Sequence, residues 1–203
     1  MKIKQSRIAW EGASWRLRVD TLAAPDGTEL DKGIIEHPGA VVLIPVRETA
    51  ASTSSVQAAS TSSVQAASTS SVQTISTEVL MIRQYRLAID EYLLELPAGT
   101  REWEEDWLAC AQRELREETG YRADKIILIG EFWPSPGLSS ELMRLCLATG
   151  LHPDPLPGDV DEEIEVRPMP LAELVDMAKN GQILDAKSIV GLLKVADYLA
   201  KQP

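Results

Sequence analysis

Three glutamates, Glu114, Glu117 and Glu118, stand within the stretch Arg113-Glu114-Leu115-Arg116-Glu117-Glu118-Thr119-Gly120. On a helix, at about 100° per residue, spacings of three and four bring these carboxylates to one side. The same wheel lays Trp107, Leu108, Ala111 and Leu115 along one apolar stripe. Glu114 and Glu118 fall at the edge of that stripe and inside it, with Glu117 beside them. An ordinary solvated helix turns its acids away from its apolar face. Like charges at these spacings repel by roughly 0.2–0.5 kcal/mol per pair when exposed, and by more when half-buried. A hard divalent cation relieves the conflict, because Mg2+ takes oxygen ligands in an octahedron. On geometry alone, a solvated acidic helix stays open as the alternative. A second acidic run, Asp159-Val160-Asp161-Glu162-Glu163-Ile164-Glu165, reads by itself as a solvated loop. His37 and His152 each stand alone beside a proline, which suits a surface or structural role.

Composition limits the partners. The 203 residues carry a formal net charge of −11, with 44% hydrophobic and 25% charged residues. That balance suits a globular domain with a core of useful size. The negative field argues against nucleic acid or an anionic membrane as partner, since both require a basic surface. A phosphate-bearing small molecule remains open if metal ions accompany it. Cys110 and Cys146 form no CxxC pair, so no disulfide framework or zinc site is expected, and a reducing compartment fits. No apolar run reaches the ~18 residues of a membrane span, and Met1–Trp10 lacks the apolar core of a signal peptide. The expectation is a cytoplasmic protein.

The elements that must hold these residues are also readable. Strand-like pieces occur in residues 1–36, among them 15–19, with a turn at Pro25-Asp26-Gly27. Residues 40–46, 78–86 and 92–96 read as strands, the last stopped by Pro97. A helix is expected over about 105–118, ending near Gly120. Strands follow at 125–130, 143–147 and 164–167. Further helices are expected at 171–179, with Gly181 as C-cap, and at 186–200. The mixture predicts an α/β or α+β layered domain. Between the strand-like segments 40–46 and 78–86, residues 50–73 repeat Ala-Ala-Ser-Thr-Ser-Ser-Val-Gln three times. These octamers are too short and polar for a solenoid, and they cannot bury enough surface to offset their ordering entropy. They read as a low-complexity insertion in a hairpin loop, which costs little in closure entropy.

The stretch from Gly99 carries a resemblance. Gly99, five residues, Glu105, seven residues and then Arg113 to Gly120 with the specified types between them is similar to the signature of the Nudix hydrolases. Tyr121 departs from it, standing where an aliphatic residue is usual. The resemblance implies the Nudix α/β/α sandwich with a mixed sheet over residues 37–203, and an N-terminal β-strand extension over 1–36. Carried over by position, Glu114, Glu117 and Glu118 look like metal-binding carboxylates. Arg113 and Glu105 look like the partners that brace the loop–helix–loop, which Gly120 closes, and Gly99 permits a sharp turn into it. Gln84-Tyr85-Arg86, Leu96-Pro97-Ala98-Gly99, Asp185-Ala186-Lys187 and a proline, Pro136, 16 residues after Gly120 resemble the ADP-ribose pyrophosphatase branch. The similarity runs from about residue 15 to the C-terminus, the octamers excepted.

That branch implies the Ala98 carbonyl as a further metal ligand. It implies substrate contacts from Arg86, Pro136 and Glu141, and from N-terminal aromatics such as Trp15. It implies a water-activating carboxylate in the acidic loop, which points to Glu162, with Glu163 one register away and Glu117 as the fallback. The implied activity is Mg2+-dependent (or Mn2+-dependent) hydrolysis of ADP-ribose to AMP and ribose 5-phosphate. Two alternatives stand: a Nudix enzyme for another nucleotide sugar such as GDP-mannose, and a Nudix module without catalysis. A homodimer through residues 1–36 is also implied.

Overall fold

The computed structural model describes residues 2–50, 75–158 and 163–202. The octamer repeat, and Glu162 with its neighbours Asp159, Val160 and Asp161, lie outside the described residues.

Strands β1 (Lys2–Glu11), β2 (Arg16–Ala23) and β3 (Glu29–Glu36) form a separate three-stranded antiparallel sheet. The Pro25–Gly27 turn joins β2 to β3, with Gly27 in the left-handed region at φ 87°. The second sheet contains β4 (Ala40–Ala50), β5 (Ile75–Arg86), β6 (Glu91–Glu95), β7 (Ala98–Thr100), β8 (Tyr121–Phe132), β9 (Met143–Pro153) and β10 (Ile164–Pro170). Its main path is β10-β5-β4-β9-β8, with β6 on β5 and β7 on β4. β4 and β9 are parallel and the other pairs antiparallel, so the sheet is mixed. β4 changes partner along its length: Ala40–Val42 pair with β7 and Val46–Ala50 with β5. Pro45, which has no N–H to donate, stands between these two pairings.

Helices cover both faces: α1 (Trp107–Thr119) on one, α2 (Leu171–Lys179) and α3 (Ala186–Ala200) on the other. The alternation of β4 requires this. Val41 and Leu43 pack with Cys110, Ala111 and Leu115 of α1. Val42, Ile44 and Val46 pack with Leu174 of α2 and with Leu192 and Val195 of α3. A strand apolar on both faces needs a layer on each side, and the result is the expected α/β/α sandwich. No helix among the described residues is long and apolar enough to cross a membrane.

The three helices keep their expected bounds within two residues. Gly181, at φ 72°, follows the C-cap Asn180 of α2. The apolar stripe of α1 needs correction. Leu108 is exposed, and Cys110 takes its place in the core beside Ala111 and Leu115. The core face is set by what β4 and β9 present, and Cys110 meets Cys146 and Val41 there.

Candidate active site

α1 is fixed at both ends. The Asp106 carboxylate accepts from the N–H groups of Leu108 and Ala109, at 2.9 and 3.1 Å. This satisfies two donors that a helix start leaves open. At the other end Gly120 adopts φ 78° and donates its N–H to Arg116 O. Arg116 turns away to the Asp154 carbonyl. The helix therefore brings its three glutamates to its C-terminal half, where the negative end of the macrodipole disfavours them further.

What offsets this is mostly Arg113. Its Nε and Nη2 each donate to the Glu105 carboxylate at 2.9 Å. Nη1 donates to Glu114 at 2.7 Å and to Glu117 at 2.9 Å. Hydrogen bonding to Arg113, against the opposing effect of burial, holds the Glu105 carboxyl below its ordinary pKa. Glu118 is buried and accepts from the Ala98 N–H at 2.9 Å. Gly99 is needed for a reason the sequence did not reveal. Its φ is not in the left-handed region, so no sharp turn demands it. A Cβ at Gly99 would instead lie 1.8 Å from the Glu114 carboxyl carbon. The glycine is the space that the carboxylate occupies.

Glu114, Glu117 and Glu118 line one cavity of about 510 Å³ together with Ser14, Ala98 and Arg86. Among the described residues no three His, Cys, Asp or Glu side chains form a finished metal cage. The donor set nevertheless fits a hard divalent cation. All the donors are oxygens, two of the carboxylates are buried, and a single guanidinium serves Glu105, Glu114 and Glu117 at once. A second cavity of about 400 Å³ shares Arg86, Ala98, Gly99 and Thr100 with the first. Its other walls include Ile89, Leu93, Met143, Glu141 and Lys187. Burial raises the Glu141 pKa, opposed by nearby Lys187.

Other expected residues lie elsewhere. Pro136 lines neither of these cavities but a third, with Lys32, Gly33 and Ile34 of β3. The loop that carries it is drawn there by backbone pairing, Ile35 N–H to Leu138 O and Ser140 N–H to Ile35 O, both at 2.9 Å. Trp15 packs against Trp10 with the rings tilted by 41° and their centres 4.4 Å apart, and its neighbour Ser14, not Trp15, is among the residues that line the acidic cavity. Glu163 is exposed and accepts from Tyr92 OH at 2.9 Å. Ser14, Glu95 and Lys187 also line these cavities, beyond the residues expected from the sequence. For Glu95 a signal existed: a lone acid inside the apolar run Leu93-Leu94-Glu95-Leu96. For Lys187 the sequence offers only its place in Asp185-Ala186-Lys187.

The family model for the NUDIX domain matches residues 66–190, more than half of the chain. This chain belongs to the Nudix family. Among relatives, the ADP-ribose pyrophosphatase of Bacillus subtilis is 28% identical over 174 residues, 85% of this chain and 80% of that protein. The methanol dehydrogenase activator of Bacillus methanolicus is 28% identical over 192 residues, 94% of this chain and 89% of that one. A crystal structure of an ADP compounds hydrolase superposes with a TM-score of 0.71 at 20% identity, over 98% of this chain and 94% of the other. It shares the fold. Within the Nudix match lie all three α1 glutamates, Arg113, Glu105 and the acidic run.

Proposed function

We propose that this Nudix hydrolase cleaves the diphosphate of ADP-ribose, or of a related nucleoside diphosphate sugar, to AMP and ribose 5-phosphate in the cytoplasm. The observation that carries the reading is the single wall on which Glu114, Glu117 and Glu118 meet, with Arg86 at its boundary with the second cavity. Relatives named ADP-ribose pyrophosphatase support the substrate class. The three glutamates and the Ala98 carbonyl would hold Mg2+, or Mn2+ in its place. Bound there, the cation would neutralise the diphosphate and lower the pKa of the attacking water.

The chain's own residues do the rest. Arg113 keeps Glu114 and Glu117 in place, and the Ala98 N–H does so for Glu118. Glu162 accepts the proton of water as it attacks phosphorus, with Glu163 one register away and Glu117 as the fallback base. The phosphorus–oxygen anhydride bond breaks, and the leaving phosphate departs with its electron pair. Arg86 offsets negative charge on the diphosphate. Glu141 and the apolar wall of the second cavity receive the part of the substrate beyond the diphosphate.

The N-terminal sheet supports self-association. β1 is exposed along its whole length, with Ile3, Ile8 and Trp10 among its exposed residues. Pairing with a second copy would cover this face and enclose the base near Trp15. Light scattering should give twice the 22.3 kDa chain mass, and a monomer at assay concentration would reject the dimer.

A panel of ADP-ribose, GDP-mannose and other nucleoside diphosphate sugars with Mg2+ tests the function, with the nucleoside monophosphate as readout. ADP-ribose should give the highest kcat/KM. Preference for GDP-mannose would move the enzyme to another nucleotide sugar. No turnover of any member would favour a binding module.

A further inference from the structure

Four charged side chains, Arg86, Glu95, Asp185 and Lys187, meet in the lining of the second cavity, and Arg86 also lines the acidic one. Glu95 ends β6 and is 1% exposed. Arg86 ends β5 and grips Glu95 with two prongs, Nε to Oε1 at 2.8 Å and Nη2 to Oε2 at 2.6 Å. Lys187, near the start of α3, is also buried, and its ammonium donates to the same Glu95 Oε2. It donates as well to Asp185 Oδ2 at 3.0 Å. Asp185 is the N-cap of α3 and accepts from the Ser188 N–H and hydroxyl.

Two cations on the one carboxylate of Glu95 need an explanation. A carboxylate forked onto a guanidinium cancels most of the charge that the guanidinium shows to a third party. Arg86 held by Glu95 alone would be well oriented but electrostatically weak toward an anion. Burying a second cation on the same carboxylate carries a desolvation cost. Anchoring α3 to β6 does not require it, because Ser188 Oγ already accepts from the Leu96 N–H at 2.6 Å. Asp185 divides its charge between Lys187 and the start of α3, where it accepts from the Ser188 N–H, so it offsets only part of the added charge.

We infer that Lys187 is a positioning residue that neutralises Glu95, so that Glu95 orients Arg86 without cancelling the charge Arg86 presents to an anionic diphosphate. The inference rests on the proposed diphosphate substrate. Together the four side chains form an aiming device. Glu95 fixes the direction, Lys187 preserves the charge, and Asp185 holds Lys187.

Steady-state kinetics on ADP-ribose with Mg2+ test it, with calorimetric binding of ADP as a readout independent of turnover. Lys187→Met should raise KM, and weaken ADP binding, by about tenfold or more, while kcat changes by less than about threefold. Adding Glu95→Gln to Lys187→Met should bring KM back to within about threefold of the wild type. The amide carbonyl still accepts from Arg86, and the uncancelled guanidinium charge returns. Glu95→Gln alone should lower KM, because it adds net positive charge. A purely structural role predicts the reverse for the last two, with KM rising in each. An unchanged KM in Lys187→Met, or a double variant as poor as the single, overturns the inference. If Lys187→Met fails to fold, Lys187→Arg and the double variant decide. Both should keep a near-wild-type KM, and a tenfold rise in either overturns the inference. Wild-type protein that neither hydrolyses ADP-ribose nor binds ADP overturns the functional reading itself, and this inference with it.

Discussion

The two acidic regions of the chain differ in what holds them. On α1, each carboxylate has a defined partner within the fold: Arg113 for Glu114 and Glu117, and the Ala98 N–H for Glu118. In the second region, Glu163 is exposed and meets Tyr92 OH, while Glu165 pairs with Arg167 on its own strand. The first set is braced against its own repulsion by buried bonds. Glu163 and Glu165 lie at the surface, where charges cost little and paired charges contribute little. The difference teaches where ligand geometry is stored. The α1 set is held by bonds inside the fold, whereas Glu163 and Glu165 are held only by exposed partners.

The strongest way to break this contrast is Glu118→Gln. It removes a ligand charge in both ground and transition states. Turnover should fall by about 10⁴-fold or more, and the metal concentration for half activity should rise. Retained turnover would make the α1 set only a structural brace. Next in size is Glu162→Gln, expected to lower kcat by roughly 10²–10⁴-fold with little change in metal requirement. If Glu163→Gln shows that loss instead, the base is one residue further along.

Glu105→Gln sharpens the contrast from the stability side. Losing the forked Arg113 contact should cost about 2 kcal/mol at neutral pH, read from denaturant melts. The Glu105 carboxyl is held below its ordinary value of 4.5 in the folded state. Its stabilisation is therefore complete above that value and lost as pH falls through the lower folded pKa. The gap between wild type and variant should close in acid, and a gap independent of pH would contradict this. Smallest is Tyr92→Phe. Removing one exposed hydrogen bond to the loop should lower kcat by no more than roughly threefold.

How much was legible in the sequence follows the same division. α2 and α3 have the bounds that their periodicity and caps predict, because a 3.6-residue repeat and a cap are local facts. β8 begins four residues early, at Tyr121, because that part pairs with the far end of β9, and only tertiary pairing specifies it. β10 runs on to Pro170 through Pro168, which an edge strand bonded only to β5 tolerates. The α1 glutamates were legible because helical spacing turns sequence into geometry. Gly99 was legible by position but not by cause, since the carboxyl group that fills its Cβ space comes from Glu114, across the fold. Glu95 and Lys187 are 92 residues apart, and nothing local announces such a pair.

The most direct measurement is AMP release from ADP-ribose by the wild-type protein as Mg2+ is titrated from a chelated, metal-free start. The account predicts no release without metal, a saturable rise with Mg2+, and ribose 5-phosphate formed in equal amount. AMP release that persists in excess chelator, or none at any Mg2+ or Mn2+ concentration, would contradict it.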